Sequence, residues 1–176
     1  MLASFCAILV ALAATSFAHP TQLLSRSESH TVQFTNKCSS GNPVFLYQNN
    51  ATPQGSTTID GPLLGGVAWL DGYDKADCEL SGVNCGIVEF TLVNPGSSNG
   101  NTQNAADFSL QSEGNHQFTY DMNFAFTGSC TAAAPGRCRG DSATACPGGF
   151  IGSNTMDGAP VQCEADNTGI HITFCN

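Results

Sequence analysis

The sequence predicts an all-β fold, an antiparallel β-sandwich with disulfide-tied loops. Hydrophobic residues recur with a period of two, Gly, Pro, Asn and Ser cluster between the periodic runs, and cysteine is abundant. No stretch shows the 3.6-residue apolar spacing of an amphipathic helix.

Residues 2–14 are almost wholly apolar and are followed by small residues, with Ser16 and Ala18 at the −3 and −1 positions of a cleavage after Ala18. Residues 1–18 are therefore expected to be a signal peptide and the product to be secreted. Residues 19–29 are polar and aperiodic and are expected to form a flexible leader, with the folded domain spanning 30–176.

Within that domain Val32 and Phe34 alternate with Thr31, Gln33 and Thr35, and Val88, Phe90 and Leu92 with Glu89 and Thr91. The clearest strand pattern covers 118–126, where Phe118, Tyr120, Met122, Phe124 and Phe126 share one face. Ile170, Ile172 and Phe174 form the last such run, and weaker ones lie at 44–47, 66–70 and 106–110. One apolar face per strand is the pattern of a sandwich. Turn formers at 49–58, 94–104, 132–140 and 147–160 are expected to be loops.

The 176 residues carry 5 Lys+Arg against 14 Asp+Glu, a net charge of −9. So few cations cannot neutralise a run of phosphates, so nucleic acid is not an expected partner, nor is an anionic membrane surface. Removing the signal removes Cys6 and leaves Cys38, Cys78, Cys85, Cys130, Cys138, Cys146, Cys163 and Cys175, an even set that implies disulfides in an exported chain. Eight cysteines allow 105 pairings, and spacing does not choose among them. No Cys-x-x-Cys or His-x-x-x-His spacing marks a zinc site, and neither metal nor cofactor is expected. His19 would become amino-terminal after cleavage, but a copper site there needs a second, fixed His. The sequon at Asn50 lies among turn formers and is a candidate for glycosylation.

Several segments, taken in order, resemble the thaumatin-like proteins. Thr31-Val-Gln-Phe-Thr-Asn-Lys-Cys38 is similar to the family's first strand and first cysteine, and Val88-Glu-Phe-Thr-Leu92 to its "AEFTL" strand. Asp107-Phe-Ser-Leu110 with Tyr120-Asp-Met-Asn-Phe124, the stretch from Cys138 through Asp141 to Cys146-Pro147, and the closing Ile170-His-Ile-Thr-Phe-Cys175 follow the same order. The resemblance is to a compact form, closest to small secreted basidiomycete proteins labelled "glycopeptide". It implies the pairs Cys38–Cys175, Cys78–Cys85, Cys130–Cys163 and Cys138–Cys146.

The family has an acidic cleft that in some members binds or cleaves β-1,3-glucan, lined by an Arg, a Glu and three Asp. The resemblance places Glu89 and Asp107 as the catalytic carboxyls and Asp141 as a further cleft residue. Glycoside hydrolysis needs two carboxyls, one protonated and one ionised. Where the family has its Arg, this sequence has Leu70 or Asp71, and Arg137 and Arg139 belong to another loop. Asp71, Trp69, Tyr47 and Tyr73 are the remaining candidates for sugar contact, with core packing the favoured role for Trp69. The acidic loop of Asp74, Asp77 and Glu79 around Lys75 reads as a solvated surface. The expectation is a monomeric protein that binds cell-wall β-glucan, with weak endo-β-1,3-glucanase activity as the enzymatic version. The competing class is a defence, effector or inhibitor module that binds an extracellular protein.

Overall fold

The computed structural model describes residues 27–96, 100–101, 103–155 and 160–175. The expected signal peptide, with Cys6 and His19, lies outside them. Twelve strands are present among the described residues: β1 (Ser29–Asn36), β2 (Asn42–Tyr47), β3 (Asn50–Gln54), β4 (Thr57–Asp60), β5 (Leu63–Asp71), β6 (Ile87–Leu92), β7 (Asn104–Leu110), β8 (Met122–Thr127), β9 (Gly149–Ile151), β10 (Asn154–Thr155), β11 (Val161–Cys163) and β12 (Gly169–Phe174). The only helical turns among those residues are 3-10 turns at Leu80–Gly82 and Ser112–Gly114. Among the described residues no helix is long and apolar enough to cross a membrane.

The strands form two sheets. The smaller runs β4-β1-β12-β8 and the larger β10-β9-β7-β6-β5-β2-β3, with β11 also on β7. Alternation dictates which side chains meet between them. Phe45, Ala68, Val88 and Phe108 are successive register partners across β2, β5, β6 and β7, and all four are fully buried. From the smaller sheet Val32, Phe124, Ile170, Ile172 and Phe174 face them, also buried. Phe108 meets Phe124 at a centroid distance of 4.9 Å, and Phe34 meets Phe45 at 6.1 Å, so aromatic contacts join the two layers. The four disulfides are Cys38–Cys175, Cys78–Cys85, Cys130–Cys163 and Cys138–Cys146, the pairs implied by the resemblance.

Three features differ from the sequence reading. Two pairings, β1 with β12 and β7 with β9, are parallel inside an otherwise antiparallel arrangement. Apolar alternation tells which face a residue takes but not which way its neighbour runs. The expected loops at 49–58 and 147–160 contain β3, β9, β10 and the start of β4. These are short, largely polar strands, and β3 tolerates Pro53 because it lies at a sheet edge. The expected strand at 118–126 joins the ladder only at Met122, because its partner β12 ends at Phe174. Tyr120 still points inward. Its hydroxyl donates to Gly86 O at 2.8 Å and accepts from Leu70 N at 3.1 Å.

β1 begins one residue before the expected domain start, and Glu28 just ahead of it is engaged. Its Oε1 accepts from Asn94 N at 2.7 Å and lies 3.1 Å from Nε2 of the fully buried His30, whose Nδ1 is 2.7 Å from Thr168 O.

Candidate functional site

The outer face of the larger sheet carries the site. Val67, Glu89 and Asp107 are successive register partners on β5, β6 and β7, one residue out of phase with the buried core row. Directly opposed residues of antiparallel strands have Cβ atoms about 5 Å apart, so the register alone brings the two carboxyl groups together.

Two ends of this face are treated differently. At one, the segment between β5 and β6, closed by Cys78–Cys85, folds over Trp69 and Ile87 and buries both. At the other the face stays open, and Glu89 and Asp107 line a pocket of about 340 Å³ with Gly65, Gly66, Val67 and Pro160 at its sides. The Gly65-Gly66 pair bends β5 beside the pocket and lets it pass close over the buried Phe90 ring. The β5–β6 register shifts between Leu63 and Gly66, Gly65 has φ +57°, and a β-carbon on Gly66 would sit 2.6 Å from the Phe90 ring.

Asp107 has little to stabilise a charge. Its carboxyl is pushed up from 3.8 to about 8, first by burial and then by the negative charge of Glu89 opposite. Its Oδ1 is buried without a hydrogen-bond partner. At neutral pH Asp107 is therefore mostly the neutral acid, next to a half-buried carboxylate on Glu89. None of the described residues lining the pocket is basic. Where an Arg would stand, Leu70 is fully buried and Asp71 is exposed at the end of β5.

The other sequence candidates do not join the pair. Asp141 is exposed in the loop closed by Cys138–Cys146 and does not line the pocket. Asp71 lies four residues along β5 from Val67, about 13 Å at strand rise. Trp69 has no exposed surface, so its ring offers no face to a sugar; its role is packing. Tyr73 is buried edge-on against Tyr120 at 5.4 Å and lines a separate pocket with Phe118 and Asp121. Asp121 in turn pairs with Arg137. Asn50 begins β3 and its Oδ1 accepts from Thr52 N at 2.9 Å.

Gly65 and Gly66 escaped the sequence reading although a Gly-Gly pair inside a strand pattern marks a bulge or a close approach. His30 also went unremarked. Among the described residues no group of three or more His, Cys, Asp or Glu is placed to hold a metal ion.

No protein-family model matches the chain, and no curated protein matches it. Among solved structures, the thaumatin-like xylanase inhibitor TLXI is similar over 82% of this chain and 99% of that one, at 14% sequence identity and a TM-score of 0.48.

Proposed function

We propose that this is a secreted, monomeric, carbohydrate-binding protein that takes β-1,3-glucan in the pocket of Glu89 and Asp107. The observation that carries the reading is the cross-strand carboxyl pair on an open face, with Asp107 held neutral at physiological pH. A neutral acid donates a hydrogen bond and a neighbouring carboxylate accepts one, so the pair can hold two hydroxyl groups of one sugar ring at once. The motif resemblance at Val88-Glu-Phe90 and Asp107-Phe-Ser-Leu110 supports glucan as the ligand. The four disulfides fit an oxidising, extracellular location, and the Asn50 sequon fits a glycan there.

A protonated acid beside a carboxylate is also the minimal apparatus of glycoside hydrolysis. Here no described lining side chain is basic, so binding is favoured over turnover. Retention of the pure protein on insoluble β-1,3-glucan, lost in Asp107→Asn and Glu89→Gln, is the expected result. Failure to be retained would transfer the protein to the competing class, a defence, effector or inhibitor module that binds another protein. Reducing-sugar release that is equal in wild type and Glu89→Gln would remove Glu89 from any hydrolytic role.

A further inference from the structure

We propose that the Glu89–Asp107 pocket is selective for a saccharide bearing a protonated amine, such as a glucosamine unit, over its neutral or N-acetylated counterpart. The proposal deepens the carbohydrate reading and depends on it.

The argument concerns charge balance. Two carboxyl groups face each other across β6 and β7, and no described residue lining their pocket has a basic side chain. The other lining positions, Gly65, Gly66, Val67, Thr91 and Pro160 among them, carry no titratable group. Asp107 Oδ1 has no hydrogen-bond donor and is shut off from water. The protein therefore leaves the pair short of both positive charge and donors. Burial first, and then the negative charge of Glu89, raise the Asp107 pKa, and no described cation offsets them.

A neutral sugar leaves the imbalance as it was. A ligand ammonium supplies three donors and a full positive charge in a partly desolvated site, where a charge-assisted hydrogen bond is about twice as strong as a neutral one. Its charge also offsets that of Glu89 and favours the ionised form of Asp107, so the proton dissociates to solvent as the amine binds. N-acetylation removes the charge and two donors while retaining the ring. The pocket, at the small end of the range for small-molecule sites, accommodates the amine at ring scale.

The chain's overall charge of −9 would attract any polycation, so the test must separate the pocket from that background. A glucosamine tetramer, its fully N-acetylated counterpart and a β-1,3-glucan tetramer are titrated by calorimetry at pH 6 in 150 mM salt, where the amine is protonated and long-range attraction is screened. The glucosamine tetramer is expected to bind at least about tenfold tighter than the acetylated one. That preference should vanish in Glu89→Gln and Asp107→Asn and persist in Asp141→Asn, which removes an acid outside the pocket. At pH 7, repeating the titration in buffers of different ionisation enthalpy should reveal proton release that Asp107→Asn abolishes.

Equal affinity for the two tetramers overturns the proposal, as does a preference that survives both pocket substitutions. If calcium chloride alone gives binding heat that disappears in the same two variants, the site belongs to a metal ion and the proposal also falls. Retained glucan binding without an amine preference removes this inference alone. Loss of binding to every saccharide removes the carbohydrate reading with it. Native Trp69 fluorescence of each variant reports that it is folded.

Discussion

Gly82 rests so closely on Ile87 that a β-carbon built on the glycine would lie 2.2 Å from Ile87 Cγ2, and 3.0 Å from Trp69 Cβ. Its φ of +73° is one that a side chain resists. Gly82→Ala is therefore expected to cost about 2–4 kcal/mol, from overpacking and left-handed strain together. Urea unfolding followed by the fluorescence of Trp69, the single tryptophan, measures it.

Asp107 makes stability depend on pH with a definite sign. Its folded value of about 8 lies above its ordinary value of 3.8, so between those limits the folded state holds a proton that the unfolded chain has lost. Its contribution is complete below about pH 4 and drains away as pH rises, by up to about 1.4 kcal/mol per unit, until about pH 8. Asp107→Asn removes this dependence. Variant and wild type should unfold at similar urea concentrations at pH 4. At pH 8 the variant should be more stable, by an amount on the order of a few kcal/mol.

The four disulfides should not be equivalent. Cys38–Cys175 closes a sequence separation of 137, and Cys78–Cys85 one of 7. Loop-closure entropy in the unfolded chain assigns them about 5 and about 2 kcal/mol. Double Cys→Ala replacement of the first pair should lower Tm more. Replacement of the second should have the larger local effect, a red shift of native Trp69 emission as the segment covering it loosens. A smaller Tm loss for the Cys38–Cys175 variant than for the Cys78–Cys85 variant would contradict this ranking.

Glu28 serves a buried histidine and a backbone donor at once. Glu28→Ala leaves Asn94 N without its acceptor and removes the carboxyl group that lies 3.1 Å from Nε2 of the fully buried His30. The expected cost is about 2–3 kcal/mol. Glu28→Gln, which keeps an acceptor for Asn94 N, should recover part of it, and calorimetric Tm values rank the three proteins.

These expectations show how the sequence and the structure divide the information. Alternation placed Phe34, Phe90, Phe124 and Ile172 on one buried face because each such strand packs against one core. It did not show that β12 would lie beside β1 in parallel, since partner choice depends on contacts far apart in the chain. A short polar edge strand such as β3 buries too little for a hydrophobic signal. Motif resemblance placed Glu89 and Asp107 where register later joined them, because both lie in regular strands with a fixed phase. Asp141 sits in a disulfide loop, where sequence order gives no direction, and the structure leaves it outside the pocket. Core packing is the favoured role for Trp69 from its sequence, and the segment after β5 covers it.

The parallel contact between β1 and β12 also imposes an order on folding. In the smaller sheet β12 lies between β1 and β8, so neither can complete its pairing until the last strand has been made. The larger sheet needs nothing from β12, and most of its strands adjoin sequence neighbours. During synthesis, β1 and β8 would wait with open edges, a state prone to mispairing, while the rest of the molecule took shape. The Cys38–Cys175 bond, which joins the end of one parallel strand to the end of the other, can then form only as a late step of maturation.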